Sequence, residues 1–337
     1  MCRYPVGEGA NRTRGGVAMT ELAGLTAPPG EGQRARAHPC YASGGVKALS
    51  VLVAAAALLT GATVPFVRSR TDRTVPDGGH CLGWPAGSVE FRENADGAPG
   101  AGDAGFAAME RSLASWATAM STCGNLSLHM GPRTHSRTTG FDDRQGATNE
   151  NVLLFRTRLC IDVLSPSDPC HAEGTCANGH DCWDYSAGTL AITTTTFNVR
   201  TGRLYDADLE MNAAVHTYST VDEPPCDLLG QTGCVSTDVQ NTVTHELGHA
   251  LGLDHSPDSR STMFAGAELG ETSKRVLDDG SLEFVCTAYP AGRPSLDCDG
   301  TPLDLSESTT GSCAAAPGGP VALLSLAMLT LRRRGGR

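Results

Sequence analysis

Apolar and polar residues alternate over Ser88–Arg92, the pattern of a strand with one buried face. Phe106, Met109, Leu113, Trp116, Ala117 and Met120 recur at threes and fours, which predicts an amphipathic helix that Gly124 ends. Leu126–His129 and Asn149–Leu159 read as two further strands. Thr189–Phe197 is rich in β-branched residues and predicts a strand. Leu204–Asn212 alternates, with Asp206, Asp208 and Glu210 on one face and Tyr205, Ala207, Leu209 and Met211 on the other. Three acids on a face could bind calcium, but nothing else supports that ion, and a solvated strand face is the plainer reading. Val235–Leu251 predicts a second helix, and Leu282–Ala288 a short closing one.

Both ends of the chain lack this patterning. Residues 1–45 are rich in Arg, Gly and Pro and suggest no domain. Lys47, the apolar run Ala48–Leu59 and the small residues Thr60–Ala62 then form the layout of a secretory signal over 46–62. That run is too short for a comfortable membrane span. Its position suggests a true start near Val46, with residues 1–45 a mis-called extension; the alternative is a cytoplasmic tail before a signal anchor. Residues 63–80 read as a short linker, 81–298 as the main domain and 299–311 as a second linker. Residues 312–337 hold Cys313, small residues, the apolar run Val321–Leu331 and Arg332–Arg334. They resemble the C-terminal sorting tail of myxobacterial type. That resemblance implies a sorting enzyme as partner, processing at Cys313, and membrane contact only through this tail; a plain tail anchor is the alternative.

The chain has 337 residues and a formal net charge of −11, which argues against nucleic acid as a partner. Of its 13 cysteines, the even set from Cys81 to Cys298 suggests up to five disulfides and an oxidising compartment, hence an exported protein, extracellular or on the outer cell surface. Cys160, Cys170, Cys176 and Cys182 lack zinc-site spacing and read as disulfide partners.

The chemistry concentrates in Thr244–His255, T-H-E-L-G-H-A-L-G-L-D-H. A helix brings His245 and His249 onto one face, where both can grip one cation. Glu246 lies beside them, within reach of a water on that cation, as the candidate general base. Gly252 suits a positive φ, so the helix can stop and turn, and His255 can return to the metal. Three imidazoles leave the fourth position of a tetrahedral zinc open, as a catalytic site requires.

The pattern H-E-x-x-H-x-x-G-x-x-H, with Met263 eight residues after His255, resembles the metzincin clan of zinc proteases. Asp238–Asn241 before the motif, Ser256 after it, and Leu277–Gly280 running to Ala288–Pro290 make it most similar to the matrixin type. Ala265 stands where astacin- and serralysin-type relatives carry an extra Tyr ligand. The resemblance covers about Cys81 to Pro290. It implies an α+β catalytic domain: a twisted mixed sheet with an active-site helix and a second long helix, here disulfide-rich. It further implies one catalytic zinc on His245, His249 and His255, proton transfer by Glu246, Met263 on a turn beneath the histidines, and protein or peptide substrates. An extended substrate would lie along the strand containing Leu190, Ala191 and Ile192, and Phe264–Asp278 would line the pocket beyond the cut. The structural-zinc histidines of animal matrixins are not matched, and Cys81 reads as a disulfide partner rather than a latency switch. The rival reading is a zinc-stabilised surface adhesion or structural module without catalysis; the presence of Glu246 favours the enzyme.

Overall fold

A computed structural model describes residues 16–21, 64–75 and 77–306. The segment 46–62 and the tail 312–337 with Cys313, read above as export and sorting signals, lie outside the described residues. No helix among the described residues is long and apolar enough to cross a membrane.

A seven-stranded mixed sheet carries the fold. Its strands are β1 (Gly16–Glu21), β2 (Gly87–Glu93), β3 (Leu126–Met130), β4 (Asn151–Arg156), β5 (Thr189–Phe197), β6 (Leu204–Asn212) and β7 (Gly266–Ala267). Their spatial order is β7-β1-β5-β6-β4-β2-β3. Strands β2, β3, β4 and β6 run parallel to one another, β5 is antiparallel to β6, and β1 is antiparallel to β5 and parallel to β7. Strand β4 sits centrally between parallel partners, and Val152–Phe155 is buried throughout. That is why its sequence is a continuous apolar run rather than an alternation.

Three longer helices cover the sheet: α1 (Gly102–Cys123), α2 (Val239–Ala250) and α3 (Asp279–Ala288). Helix α1 buries the expected stripe of Phe106, Met109, Leu113, Trp116 and Met120. It is fastened to α2 by Trp116 Nε1, which donates to the Thr244 carbonyl at 2.9 Å, and by Ser112 Oγ, which donates to the Gln240 carbonyl at 3.1 Å. Helix α2 begins at Val239, later than the sequence suggests. The residues just before it, Thr237–Asp238, pair in parallel with Tyr218–Ser219, and the Asp238 carboxylate then caps the helix by accepting from Asn241 N at 2.7 Å.

The acidic face of β6 is not solvated. Asp206, Asp208 and Glu210 are all buried. The segment around residue 140 lies over them: Asp208 accepts from the backbone N–H groups of Gly140 and Val152, and Glu210 from Arg156 Nε at 2.7 Å and Thr139 Oγ1 at 3.3 Å. Burial, then the charge of Asp206, pushes the Asp208 carboxyl well above its ordinary range. The Asp208 and Glu210 oxygens are engaged by protein donors, and calcium gains no support from them.

All ten cysteines from Cys81 to Cys298 pair: Cys81–Cys298, Cys123–Cys286, Cys160–Cys182, Cys170–Cys176 and Cys226–Cys234. The first joins residues 217 apart in sequence. By loop entropy a closure of that size contributes on the order of 5 kcal/mol. Both expected linkers also contribute to the domain. Val67–Arg68 pairs antiparallel with Leu253–Asp254, and beyond Asp297 the chain folds back so that Leu303 is buried.

Candidate active site

Helix α2 presents His245, Glu246 and His249, all buried, toward β5. The helix stops at Gly252, whose φ is +100°. A Cβ there would fall 2.5 Å from the Leu82 carbonyl oxygen, so glycine is needed both for the turn and for the close approach. The turn returns His255 to the pair. His249 Nε2 lies 3.1 Å from His245 Nε2 and 3.3 Å from His255 Nε2.

Two backbone carbonyls fix how these rings are protonated. His245 Nδ1 is 2.7 Å from the Thr262 carbonyl, and His249 Nδ1 is 2.8 Å from the Leu253 carbonyl. A carbonyl only accepts, so each Nδ1 carries the proton and each neutral ring turns a bare Nε2 lone pair inward. Burial pushes both rings well below the ordinary histidine range, and the neighbouring imidazoles push the same way. Burial also lowers His255, against the charge of Asp254. Lone pairs converging at this distance repel one another unless a cation lies among them. The donor set therefore fits a divalent transition metal, and three neutral imidazoles suit zinc. Three other groupings among the described residues, Cys170–His171–Cys176, Asp168–Cys170–His180 and Cys81–Asp297–Cys298, have their thiols committed to disulfides.

Glu246 is wholly buried, and burial pushes its carboxyl up to about 8, with a hydrogen bond to Thr193 opposing. Thr193 Oγ1, on β5, lies 2.6 Å from Glu246 Oε2 and 3.0 Å from the Glu246 carbonyl. The other carboxyl oxygen, Oε1, has no hydrogen-bond partner among the described residues.

Met263 lies beneath the histidines on a tight turn, Phe264 N donating to the Ser261 carbonyl at 3.0 Å. The fit under α2 is close: a Cβ on Gly248 would come 2.3 Å from Met263 Sδ. This turn also supplies the Thr262 carbonyl that orients His245, and Asp278 holds it in place. Asp278 Oδ2 accepts from Thr262 N at 2.8 Å and Ser281 Oγ at 2.8 Å, while Oδ1 caps α3 through Gly280 N at 2.8 Å. Burial raises the Asp278 pKa, but the donors Ser281 and Thr262 outweigh it and leave it below the ordinary value.

Leu190, Ala191 and Ile192 lie on β5 beside this centre. Ala267, Glu268, Leu269 and Glu271, from the stretch expected to line the pocket beyond the cut, share a pocket with Leu190, Asn241 and Thr242. Lys274 is buried behind it, its Nζ donating to the Gly266 carbonyl at 2.8 Å and paired with Glu271. Thr193, Asp278 and Lys274 fall within stretches that the sequence marks for substrate contact or family resemblance, but the sequence reading gave none of them a role of its own. Asp278 carries a usable signal, an acid just before the small residues Gly280 and Ser281 at a helix start. Thr193 is one of four consecutive threonines in β5 and carries none.

The Matrixin family model matches residues 173–289. That span takes in β5, β6, α2, the three histidines, the Met263 turn and all of α3, and makes this part of the chain similar to a matrixin metalloprotease domain.

Proposed function

We propose that the chain is an exported zinc-dependent endopeptidase that hydrolyses bonds in extracellular proteins, with Glu246 as the proton-transfer group. The observation that carries this reading is the pairing of three inward-facing imidazoles with a buried carboxyl whose Oε1 has no hydrogen-bond partner among the described residues. A purely structural zinc module has no use for that carboxyl. His245, His249 and His255 would hold a zinc ion, which when bound would supply Lewis-acid chemistry toward a water and a substrate carbonyl. Glu246 Oε1 takes the proton of the attacking water and delivers it to the leaving amine. Thr193 holds the other carboxyl oxygen and so fixes the direction of Oε1. The substrate backbone adds to β5 along Leu190–Ile192 by main-chain hydrogen bonds. Five disulfides, formed only where thiols oxidise, support export.

The test is metal analysis and cleavage of a quenched fluorescent peptide library, with and without a zinc chelator. His249→Ala should lose zinc. Glu246→Gln should keep zinc and lose at least 10²–10⁴-fold in turnover. Zinc bound normally by His249→Ala, or near-normal turnover by zinc-loaded Glu246→Gln, would overturn the assignment. Zinc without hydrolysis of any peptide would favour the structural module.

A further inference from the structure

The turn that returns His255 to the other two histidines is held from outside by residues 65–73, a polar stretch that precedes the family match and that the sequence suggests is linker. Ser69 N donates to the Gly252 carbonyl at 2.9 Å, and Ser69 Oγ donates to the Leu253 carbonyl at 2.9 Å. Val67–Arg68 pairs with Leu253–Asp254, and Ser256 Oγ donates to the Pro65 carbonyl at 3.0 Å. The stretch is itself fixed on its far side, where Leu82 N donates to the Ser69 carbonyl at 2.8 Å and Thr71 N to the His80 carbonyl at 2.9 Å, beside the Cys81–Cys298 bond. Within it Arg73 reaches two of the three histidines through short relays. Its Nη2 lies 2.9 Å from Asp254 Oδ2, and Asp254 Oδ1 accepts from His255 N at 2.8 Å. The same Nη2 donates to Ser69 Oγ at 3.2 Å, and Ser69 Oγ donates to the Leu253 carbonyl, which also accepts from His249 Nδ1 at 2.8 Å.

We propose that Arg73 is a positioning residue of the metal centre, fixing the approach of His255 and the orientation of His249 and thereby setting the affinity for zinc. This rests on the zinc-peptidase reading of the same site. The three histidines are not equally placed. His245 and His249 share α2, and helix geometry sets their spacing. His255 lies beyond the helix end, so its distance from the pair depends on the turn. A side chain that must be ordered when the ion arrives opposes binding by the entropy it loses, and one already fixed does not. The Asp254 carboxylate can fix the His255 backbone only if it is itself held, and Arg73 holds it. Removing a group that orients a metal ligand typically lowers metal affinity about 10–100-fold. Arg73 acts one group further out, so the low end, about tenfold, is expected. Its effect on the fold as a whole is smaller: the Arg73 and Asp254 side chains are both 27% exposed, and ion pairs open to water contribute little. Arg70, on the same stretch, pairs instead with exposed Asp77 at 3.1 Å and provides the contrast.

The experiment compares the full chain with its Arg73→Gln, Asp254→Asn, double and Arg70→Gln variants. Zinc affinity is read by competition with a chelator, and ligand geometry by the visible absorption of the cobalt-loaded protein. Arg73→Gln and Asp254→Asn should each weaken zinc binding about tenfold. The double variant should be no weaker than either single one, because both changes break the same contact. Arg70→Gln should match the parent. The cobalt bands should shift in Arg73→Gln and stay in place in Arg70→Gln. Urea midpoints of the metal-free Arg73→Gln and Arg70→Gln chains should coincide, which separates positioning of His255 from support of the fold. Parent-like zinc affinity in Arg73→Gln overturns the proposal, as does a tenfold loss matched by a lower metal-free midpoint, or additive losses in the double variant. Zinc-dependent peptide hydrolysis by the parent then leaves the peptidase reading standing. The expected zinc and cobalt differences with no hydrolysis by any chain leave the positioning role standing and overturn the peptidase reading. A parent that binds no zinc overturns both.

Discussion

Thr193 Oγ1 lies 2.6 Å from Glu246 Oε2 and 3.0 Å from the backbone carbonyl of the same residue. One hydroxyl proton serves both contacts in turn. When the carboxyl is ionised, Thr193 donates to Oε2; when it is protonated, Oε2 donates to Thr193 and the hydroxyl turns to the carbonyl. Thr193 thus holds the carboxyl in place in either state, as a positioning residue.

A hydrogen bond to an ionised group contributes roughly 1.5–3 kcal/mol, which corresponds to about 10–100-fold in rate if it is spent on orientation. Thr193→Val should lower kcat by that factor with KM and zinc content unchanged, and Thr193→Ser should restore most of it. A loss confined to KM, or no recovery with Ser, would show that the hydroxyl does not position Glu246.

Asp278 couples the Met263 turn to the start of α3, so removing it should loosen both. Asp278→Ala should destabilise the fold by about 2–4 kcal/mol, combining a lost helix cap with an unsatisfied buried Thr262 N–H. Because its folded pKa is depressed, the carboxylate's contribution is present above its ordinary value of 3.8 and is lost as pH falls through the lower folded value. Urea unfolding at pH 6 and pH 3 checks this: the gap between parent and Asp278→Asn should narrow at the lower pH.

Glu93 gives the opposite sign. Its side chain is buried, and Oε1 has no hydrogen-bond partner among the described residues. Burial and then the charge of Glu110 push the carboxyl up to about 7, against Arg133. A raised folded pKa gives stability that is full below about 4.5 and lost as pH rises through 7. Glu93→Gln should therefore match the parent in melting temperature at pH 4 and exceed it at pH 8. A parent advantage at pH 8 would show that the ionised carboxylate is well accommodated.

Gly252→Ala places a side chain at a φ of +100° and against the backbone of Leu82. A strained position of this kind costs about 1–3 kcal/mol, and the turn it distorts carries His255. Both melting temperature and zinc affinity should fall, whereas Ala substitution at exposed Gly179, where added atoms meet open space, should change neither.

What the sequence made legible follows from how local each signal is. The zinc-ligand candidates sit within eleven residues, so helix geometry alone brings two of them together. The stripe of α1 and the alternation of β2 likewise need no distant partner. The acids of β6 were misread because the groups that cover them, Thr139, Gly140, Val152 and Arg156, lie 54 to 71 residues away. Strand β1 was missed for the same reason. G-V-A-M-T-E has no alternation of its own, and its extended form is imposed by edges that arrive from residues near 190 and 266. The Val67–Arg68 pairing with Leu253–Asp254 is a third case, a polar segment ordered by a partner far along the chain.

The bond between Cys81 and Cys298 makes the domain a covalent ring. On the peptidase reading the molecule would meet copies of itself, and exposed turns would be the places where they cut. A single nick between residues 82 and 297 opens the ring but cannot shed either piece. Nicked molecules would keep the parent's mobility on a non-reducing gel and separate only after reduction. The crosslink thus gives damage tolerance: a cut molecule remains one molecule, with His255 still tethered to the helix it completes.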